Sequence, residues 1–397
     1  MSSITDLVRP ELPSLIELRH HLHAHPELSF REEATAAHLL NELQQIPGLD
    51  IRTGVAGTGI VATLAADREG PCVALRADMD ALPIKEETGL PYASRNEGVM
   101  HACGHDGHMT CLVGAVRVLA KMVDKLPGPV RFLFQPAEEG GGGAKIMCNE
   151  GAMDDPPVAA AFALHGWPGL PIGKVGTRVG PMMASADSVN IEIIGQGTHA
   201  AQPQHGIDPI VVAAHVITAL QTIVSRRLPP YESAVLTLAQ ISGGTARNVI
   251  PESVSIKGTL RTLDAAVREQ AMKLIEEITT GTAAALGARA KVKIVVGYPV
   301  LSNDAALVDY FDRTVRAELG PDVQEEIPVS LGGEDFAFYG QHAPTVLWRH
   351  GVARPGEKTM IPLHNPKFDF ADEAIESAVR LHCALALGFS AEAIKPA

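Results

Sequence analysis

The sequence predicts an α/β protein in which an open mixed sheet, covered by helices, is interrupted by a smaller inserted domain. The 397 residues exceed the size at which a single hydrophobic core usually stops growing, so we expect two domains. In the first half, short apolar runs alternate with helical patterns, as in a sheet with strands buried on both faces. From Ser188 to about residue 297 the pattern changes, and the earlier pattern then resumes.

The larger domain is expected to comprise 1–184 plus 298–397. Its strands are predicted from short apolar runs, and its helices from apolar residues at helical spacing. The predicted strands are 59–65, 72–77, 129–135, 159–164 and 345–349. The predicted helices are 11–24, 32–46, 107–125 and 371–389.

The inserted domain, 185–297, is expected to form a ferredoxin-like α+β unit. Its elements follow the order β-α-β-β-α-β, which is typical of that fold. The predicted strands are 188–194, 234–241, 253–260 and 291–297, and the predicted helices are 208–226 and 264–287.

Composition excludes several classes of partner. The formal charge is −13 and only 4% of residues are aromatic, so neither a basic footprint nor a stacking platform for nucleic acid is expected. The N-terminus lacks a basic head followed by an apolar stretch, and no run approaches the roughly 18 apolar residues of a spanning helix. We therefore expect a cytoplasmic protein without a membrane partner.

The five cysteines are scattered and odd in number, which favours reduced thiols over a disulfide framework. Only Cys103 lies among other metal-ligand types. It belongs to the stretch 101–108, His-Ala-Cys-Gly-His-Asp-Gly-His, which crowds thiolate, imidazole and carboxylate into eight residues. Such crowding predicts a metal site that includes Cys103 and His105.

Further candidate ligands follow apolar runs. Asp78 and Asp80 follow one run, the Glu138-Glu139 pair another, and His165 a third. Because sites in open α/β sheets form beyond the carboxyl ends of the strands, these side chains are expected to converge. His364 follows the last predicted strand and a loop that could return it to the same edge.

The mixed Cys, His and Glu set suits two divalent transition metal ions, zinc, manganese, cobalt or nickel, and its thiolate argues against magnesium and calcium. Two such ions suit the cleavage of unactivated amides. Within the Glu138-Glu139 pair, one carboxylate could bind metal while the other acts as general base.

The chain resembles the aminoacylase and carboxypeptidase metallopeptidases that include hippurate hydrolase and the indole-acetyl-amino-acid hydrolases. The order and spacing of the motifs match over nearly the whole chain. The matching stretches are 23–28, 75–83, 100–108, 135–140, 164–165, 197–201, 247–251, 332–336 and 363–365.

This resemblance implies a binuclear site in the larger, catalytic domain, with Glu138 as the catalytic carboxylate and Asp80 as an orienting residue. The wider clan has His-x-Asp where this chain has Asp78-Met79-Asp80, so Cys103 is expected to supply the displaced ligand. The implied metal ligands are Cys103, His105, Glu139, His165 and His364.

The resemblance also implies that the inserted domain is a lid that dimerises, giving a homodimer or a dimer-based oligomer. His199 would reach the metal site of the partner subunit and stabilise the developing oxyanion. Asn248, Arg261 and Gly333 would bind the substrate, and a bidentate arginine suits its carboxylate.

The predicted activity is metal-dependent hydrolysis of N-acyl amino acids, such as N-acetyl or N-benzoyl derivatives, to a carboxylic acid and a free amino acid. One alternative is a metallo-carboxypeptidase or dipeptidase acting on short peptides. A second alternative is a non-catalytic protein that binds metal or amino acids, although Glu138 is the base that such a protein would have lost.

Overall fold

The computed structural model describes residues 3–356 and 360–390, which fold as two compact units. The first comprises Met1–Gly180, Ser302–Pro328 and Asp335–Ala397, and the second comprises Pro181–Leu301 and Val329–Glu334. The short segment Val329–Glu334 was not foreseen as part of the insert. It belongs there because the backbone N–H of Ala184 donates to the carbonyl oxygens of Ser330 and Gly332 at 3.1 and 3.0 Å.

The α-helices of the described residues are α1 Ile4–Val8, α2 Leu12–Ala24, α3 Glu33–Gln44, α4 His105–Lys121, α5 Gly143–Asn149, α6 Pro209–Leu220, α7 Ala265–Ala285, α8 Ala305–Glu318 and α9 Ile375–Gly388. The strands are β1 Leu49–Val55, β2 Gly59–Leu64, β3 Cys72–Asp78, β4 Val130–Gln135, β5 Val158–Pro171, β6 Val175–Thr177, β7 Gly180–Met183, β8 Ala186–Ile194, β9 Thr198–His199, β10 Ala234–Gly243, β11 Val249–Ile250, β12 Ser253–Thr262, β13 Arg289–Tyr298, β14 Leu301–Asn303, β15 Gln324–Glu326 and β16 Thr345–Ala353.

The larger unit contains an eight-stranded mixed sheet in the order β1-β2-β4-β3-β5-β16-β6-β15. Its centre is parallel, because β3 pairs in parallel with β4 and β5, and β16 pairs in parallel with β5. The central strands β2, β3 and β4 are buried along their whole length, as their continuous apolar runs predict. The mixed α/β fold predicted from the sequence is thus confirmed.

Each predicted strand and helix of the larger unit is present, with one notable difference in extent. The strand expected at 159–164 continues to Pro171, so His165 lies within β5 and not after it. The extension forms because β5 keeps pairing with β16, with Gly166 opposite His350 and Trp167 opposite Gly351.

The second unit contains a four-stranded antiparallel sheet in the order β10-β12-β8-β13, with α6 and α7. This strand order is that of a ferredoxin-like β-α-β-β-α-β unit. A separate apolar core, which includes Val189, Ile191, Val216 and Ile275, holds the helices on the sheet.

We expected no apolar segment as long as a membrane-spanning helix, and helix α6 with the turn that follows it corrects this expectation. Pro209–Arg227 spans 19 residues and is long and apolar enough to cross a membrane by length and composition alone. In this structure Val212 and Val216 pack into the apolar core of the second unit, whereas Ile210 and Val211 are exposed. One face of α6 therefore packs in the core, whereas the opposite face is exposed although it also carries apolar side chains.

Candidate metal centre

The first two predicted ligands lie at the start of helix α4, which begins at His105 and is preceded by Cys103. Gly104 between them has a φ of +92°, a left-handed conformation that favours glycine. A Cβ at this position would also lie 3.2 Å from Phe370. The glycine therefore permits the turn that brings both ligand side chains to one place.

The five predicted metal ligands form overlapping groups whose donor atoms lie within 4.8 Å of one another. Cys103, His105 and Glu139 each belong to two of the three groups given below, which joins these groups into one cluster. The groups are Cys103, His105 and His165; Cys103, Glu139 and His364; and His105, Glu138 and Glu139.

The imidazole of His105 is oriented by a backbone hydrogen bond. Its Nδ1 donates to the carbonyl oxygen of Asp80 at 2.7 Å, which leaves Nε2 facing the cluster. Nε2 is buried and has no hydrogen-bond partner among the described residues. A buried nitrogen without a partner is costly, and a metal ion would satisfy it.

His165 is arranged in the same way. Its Nδ1 donates to the carbonyl oxygen of Gly166 at 2.9 Å, and its Nε2 lies 3.4 Å from the Sγ of Cys103. Both imidazoles therefore offer Nε2 to the same space, as histidine ligands held by a second hydrogen bond commonly do.

The Glu138-Glu139 pair lies in a tight turn after β4. Ala137 has a φ of +54°, which turns the chain sharply. The backbone N–H groups of Glu138 and Glu139 donate to Oδ1 and Oδ2 of Asp80, each at 3.0 Å. Asp80 therefore holds the two glutamates by their backbone and leaves their side chains for the cluster.

His364 completes the cluster from a loop after β16. Its backbone N–H donates to the carbonyl oxygen of Ala102 at 2.8 Å, which fixes it beside Cys103. Its Nε2 lies 3.1 Å from Oε1 of Glu139, although that buried oxygen has no partner in hydrogen-bond geometry. The two side chains thus lie close enough to bind one cation.

The electrostatics of the cluster favour positive charge. Burial, followed by the carboxylates of Glu139 and Glu138, raises the pKa of the Cys103 thiol well above its usual range. Burial would lower the pKa of His105, but the carboxylates of Asp78 and Asp80 outweigh it and raise that pKa to about 10. The donor set is therefore suited to divalent metal ions, as the sequence predicts.

Asp78 lies close to the cluster but is engaged elsewhere. Its Oδ2 accepts a hydrogen bond from Arg76 at 2.6 Å, and its Oδ1 accepts one from Nδ1 of His108 at 2.7 Å. The Nε2 of His108 accepts the backbone N–H of Gly166 at 2.8 Å, so neither histidine nitrogen is available. Although burial opposes it, Arg76 holds the pKa of Asp78 well below its usual range.

Two supporting residues were missed by the sequence analysis. Ser29 donates its hydroxyl to Oδ2 of Asp80 at 2.6 Å. Glu32 accepts the backbone N–H of Ala137 at 2.9 Å and the hydroxyl of Thr58 at 2.7 Å. Only the match to 23–28 hinted that this early segment approaches the cluster, and it ends one residue before Ser29.

In the second unit, His199 and Asn248 lie side by side. His199 pairs with Val249 in the β9–β11 ribbon, and the N–H of Ala200 donates to the carbonyl oxygen of Asn248 at 3.0 Å. The Nδ1 of His199 accepts the N–H of Ala201 at 3.0 Å. The neutral imidazole therefore carries its proton on the exposed Nε2, where it can donate.

Arg261 and Gly333 lie at the other end of the second unit. Arg261 is near the end of β12, and Gly333 is close to Ala186 and Tyr298. Arg261 is eight positions along β12 from Ser253, which pairs with Ile194 near the His199 turn, a separation of about 26 Å at the usual rise per residue. One chain therefore does not bring its own Arg261 and His199 together.

Comparison with known proteins identifies the family. The sequence profile described as Peptidase family M20/M25/M40 matches residues 74–388. The chain belongs to peptidase family M20/M25/M40. It is therefore a hydrolase, and the family resemblance read from the motifs is confirmed.

Relatives of this M20 chain include two named enzymes and one solved structure. N-acetyl-L-cysteine deacetylase of Bacillus subtilis is 46% identical over 365 residues, 92% of this chain and 85% of the relative. N-acyl-L-amino acid amidohydrolase of Geobacillus stearothermophilus is 45% identical over 316 residues, 79% of this chain and 85% of the relative. The crystal structure of Bacillus subtilis YXEP protein, described as a dinuclear metal binding peptidase from the M20 family, matches with a TM-score of 0.83 and 34% identity, covering 96% of this chain and 98% of that chain.

Proposed function

We propose that the protein is a dinuclear metal-dependent amidohydrolase that cleaves N-acyl amino acids to a carboxylic acid and a free amino acid. The observation that carries this proposal is the cluster in which Cys103, His105, Glu139, His165 and His364 surround one space beside Glu138. The named activities of the two relatives support the amide of an N-acyl amino acid as the substrate.

The five ligands would hold two divalent transition metal ions, which would supply Lewis acidity for the amide carbonyl. Cys103 and Glu139 share a group with His364, and His105 and His165 share one with Cys103. The thiolate favours zinc, cobalt, nickel or manganese over magnesium or calcium.

Glu138 is the general base of the proposed reaction. Its side chain is buried, and Asp80 holds its backbone N–H at 3.0 Å. A carboxylate fixed at this position can take a proton from the attacking water and later deliver it to the leaving amine. Asp80 also accepts the backbone N–H of Glu139. The side chain of Glu138 is then left for proton transfer and that of Glu139 for metal binding.

We propose that His199 acts across a dimer. Its exposed Nε2–H can donate a hydrogen bond to the oxygen that develops negative charge. The separation of about 26 Å between the two ends of β12 supports a site that takes Arg261 and Gly333 from one subunit and His199 and Asn248 from the other. In this role the inserted unit is both a lid and a dimerisation domain.

Exposed apolar surface on the second unit supports the dimer. Strand β10 is an edge strand whose residues from Ala239 to Gly243 are exposed, and an unprotected edge of this kind readily pairs with another chain. Ile241 on this strand and Ile210 and Val211 on α6 are exposed apolar side chains. A second copy of the chain would cover them.

The proposed activity is tested by measuring the release of free amino acid from a panel of N-acetyl, N-benzoyl and indole-acetyl amino acids and of dipeptides. Chelated protein is tested before and after manganese, cobalt, nickel or zinc is restored. We expect metal-dependent release from N-acyl amino acids. Release from dipeptides alone would favour the peptidase alternative. If the folded, metal-loaded dimer released no amino acid from any substrate, the proposal would be contradicted.

A further inference from the structure

A buried arginine that contacts no carboxylate of the described residues lies next to the proposed metal centre. Arg349 on β16 is paired in register with His165 on β5, so the two side chains project from the same face of the sheet. The neighbouring Trp348 and His350 project from the opposite face, where they contact His382 and Ser377 of α9.

Trp167 fixes the position of the guanidinium. The Cζ of Arg349 lies 3.8 Å from the centroid of the Trp167 ring, a stacked geometry. The Trp167 and His165 rings are 6.2 Å apart, which puts the guanidinium no more than about 10 Å from the His165 imidazole. A guanidinium stacked in this way presents its N–H groups at its edge.

Arg349 forms no ion pair with the part of the chain that the structure describes. The side chain is 3% exposed, and the only acceptor within hydrogen-bond distance among the described residues is the carbonyl oxygen of Pro328, at 3.2 Å. By contrast, Arg19 and Arg76 each contact two or more carboxylates, and Arg131 donates to two backbone carbonyls.

A second cation adds to this imbalance. Arg178 lies close enough for its charge to act on Arg349, and its buried Nε has no partner among the described residues. Burial, and then the charge of Arg178, lowers the pKa of Arg349 to about 10, so Arg349 remains cationic at neutral pH. A buried cation beside a second, half-buried one is costly unless an anion joins them.

We infer that Arg349 and Arg178 form a carboxylate-binding site beside the metal centre, and that it selects N-acyl amino acids that carry a second carboxylate. The inference rests on the function proposed above. The second carboxylate belongs to a dicarboxylic acyl group or to an acidic amino-acid side chain, since either places a carboxylate near a scissile amide. Arg349 supplies a planar, bidentate donor, and Arg178 supplies a second charge.

The test compares three substrates with the metal-loaded full-length enzyme: N-acetyl-alanine, N-succinyl-alanine and N-acetyl-glutamate. We expect kcat/KM for one of the two dicarboxylic substrates to exceed that for N-acetyl-alanine. Arg349→Met should reduce this preference by about 10- to 100-fold, the range for a lost charge-assisted hydrogen bond. Arg178→Met should also reduce the preference for the dicarboxylic substrate, and Arg349→Lys should retain part of that preference.

Arg354→Met is the matched control, because Arg354 is already paired with Asp369 at 2.7 Å. It should leave the preference between substrates unchanged. No preference for either dicarboxylic substrate in the wild type, or a preference that survives Arg349→Met, would overturn the inference while leaving the proposed function intact.

Calorimetric binding of free succinate gives a readout that does not need turnover. We expect saturable binding to the wild-type protein that Arg349→Met abolishes. If no N-acyl amino acid is cleaved but succinate still binds through Arg349, the anion site stands and the proposed function fails. Equal binding by wild type and variant would overturn the site.

Discussion

The carboxylate of Asp80 accepts the backbone N–H of Glu138 at 3.0 Å, and this bond links the strand β3 edge to the proposed general base. The second oxygen of Asp80 accepts the N–H of Glu139 at the same distance, and its backbone carbonyl accepts Nδ1 of His105. One residue therefore positions the proposed base and two of the proposed metal ligands.

Asp80→Ala tests this positioning role. The substitution removes both acceptors of the Glu138-Glu139 turn, so we expect kcat to fall by about 100-fold or more because the base is misplaced. The measurements are kcat, KM and metal content. Ser29→Ala is the control, since it removes one donor to Asp80 and keeps both backbone bonds, and it should cost less than tenfold. A near-normal kcat in Asp80→Ala would contradict the role.

His23 should make stability depend on pH in the alkaline range. Burial would lower its pKa. The charge of Asp106 and the hydrogen bonds with Asp106 and Glu86 outweigh burial and raise the pKa to about 9. Because the folded pKa exceeds the unfolded value of about 6.5, the stabilisation is fully present below pH 6.5 and is lost as pH rises through 9. The shift corresponds to about 3 kcal/mol.

The measurement is the free energy of unfolding by denaturant between pH 6 and pH 10, for the wild type and for His23→Gln. The wild type should lose stability across this range, and the variant should be less stable at pH 6 and show a flatter profile. Parallel profiles for the two proteins would show that His23 does not carry the pH dependence.

Mixed dimers test whether His199 acts across subunits. Glu138→Ala and His199→Ala should each be inactive alone. In a randomly mixed population half the dimers are mixed, and each mixed dimer has one site with an intact Glu138 and a partner's His199, so about a quarter of wild-type activity should return. If His199 acts within its own chain, no site is intact and no activity returns.

The sequence predicted the members of the cluster because their chemistry is local. Cys103 and His105 lie two positions apart, and Glu139 follows a buried apolar run. The free state of the five cysteines also followed from their number and spacing. The order of the predicted elements in the insert, from 188 to 297, was also predictable, because the apolar residues of each segment recur with the period of a helix or a strand.

The supporting contacts were not predictable, because they join residues far apart in the sequence. Ser29 contacts Asp80 across 51 residues, and Arg76 contacts Asp335 across 259. Strand β1 was missed because most of its residues are half-buried or exposed and it has no apolar run. Helix α8 was missed despite a usable signal, since its buried Leu307, Val308, Phe311 and Val315 have helical spacing.

The dinuclear centre is tested by locating the metal ions in crystals of protein reloaded with manganese or zinc, using anomalous diffraction to measure their number and position. We expect two peaks per chain, roughly 3.5–4 Å apart. Together they should be bound by Cys103, His105, Glu139, His165 and His364. A single peak in this cluster, or metal bound only elsewhere, would contradict a dinuclear hydrolase.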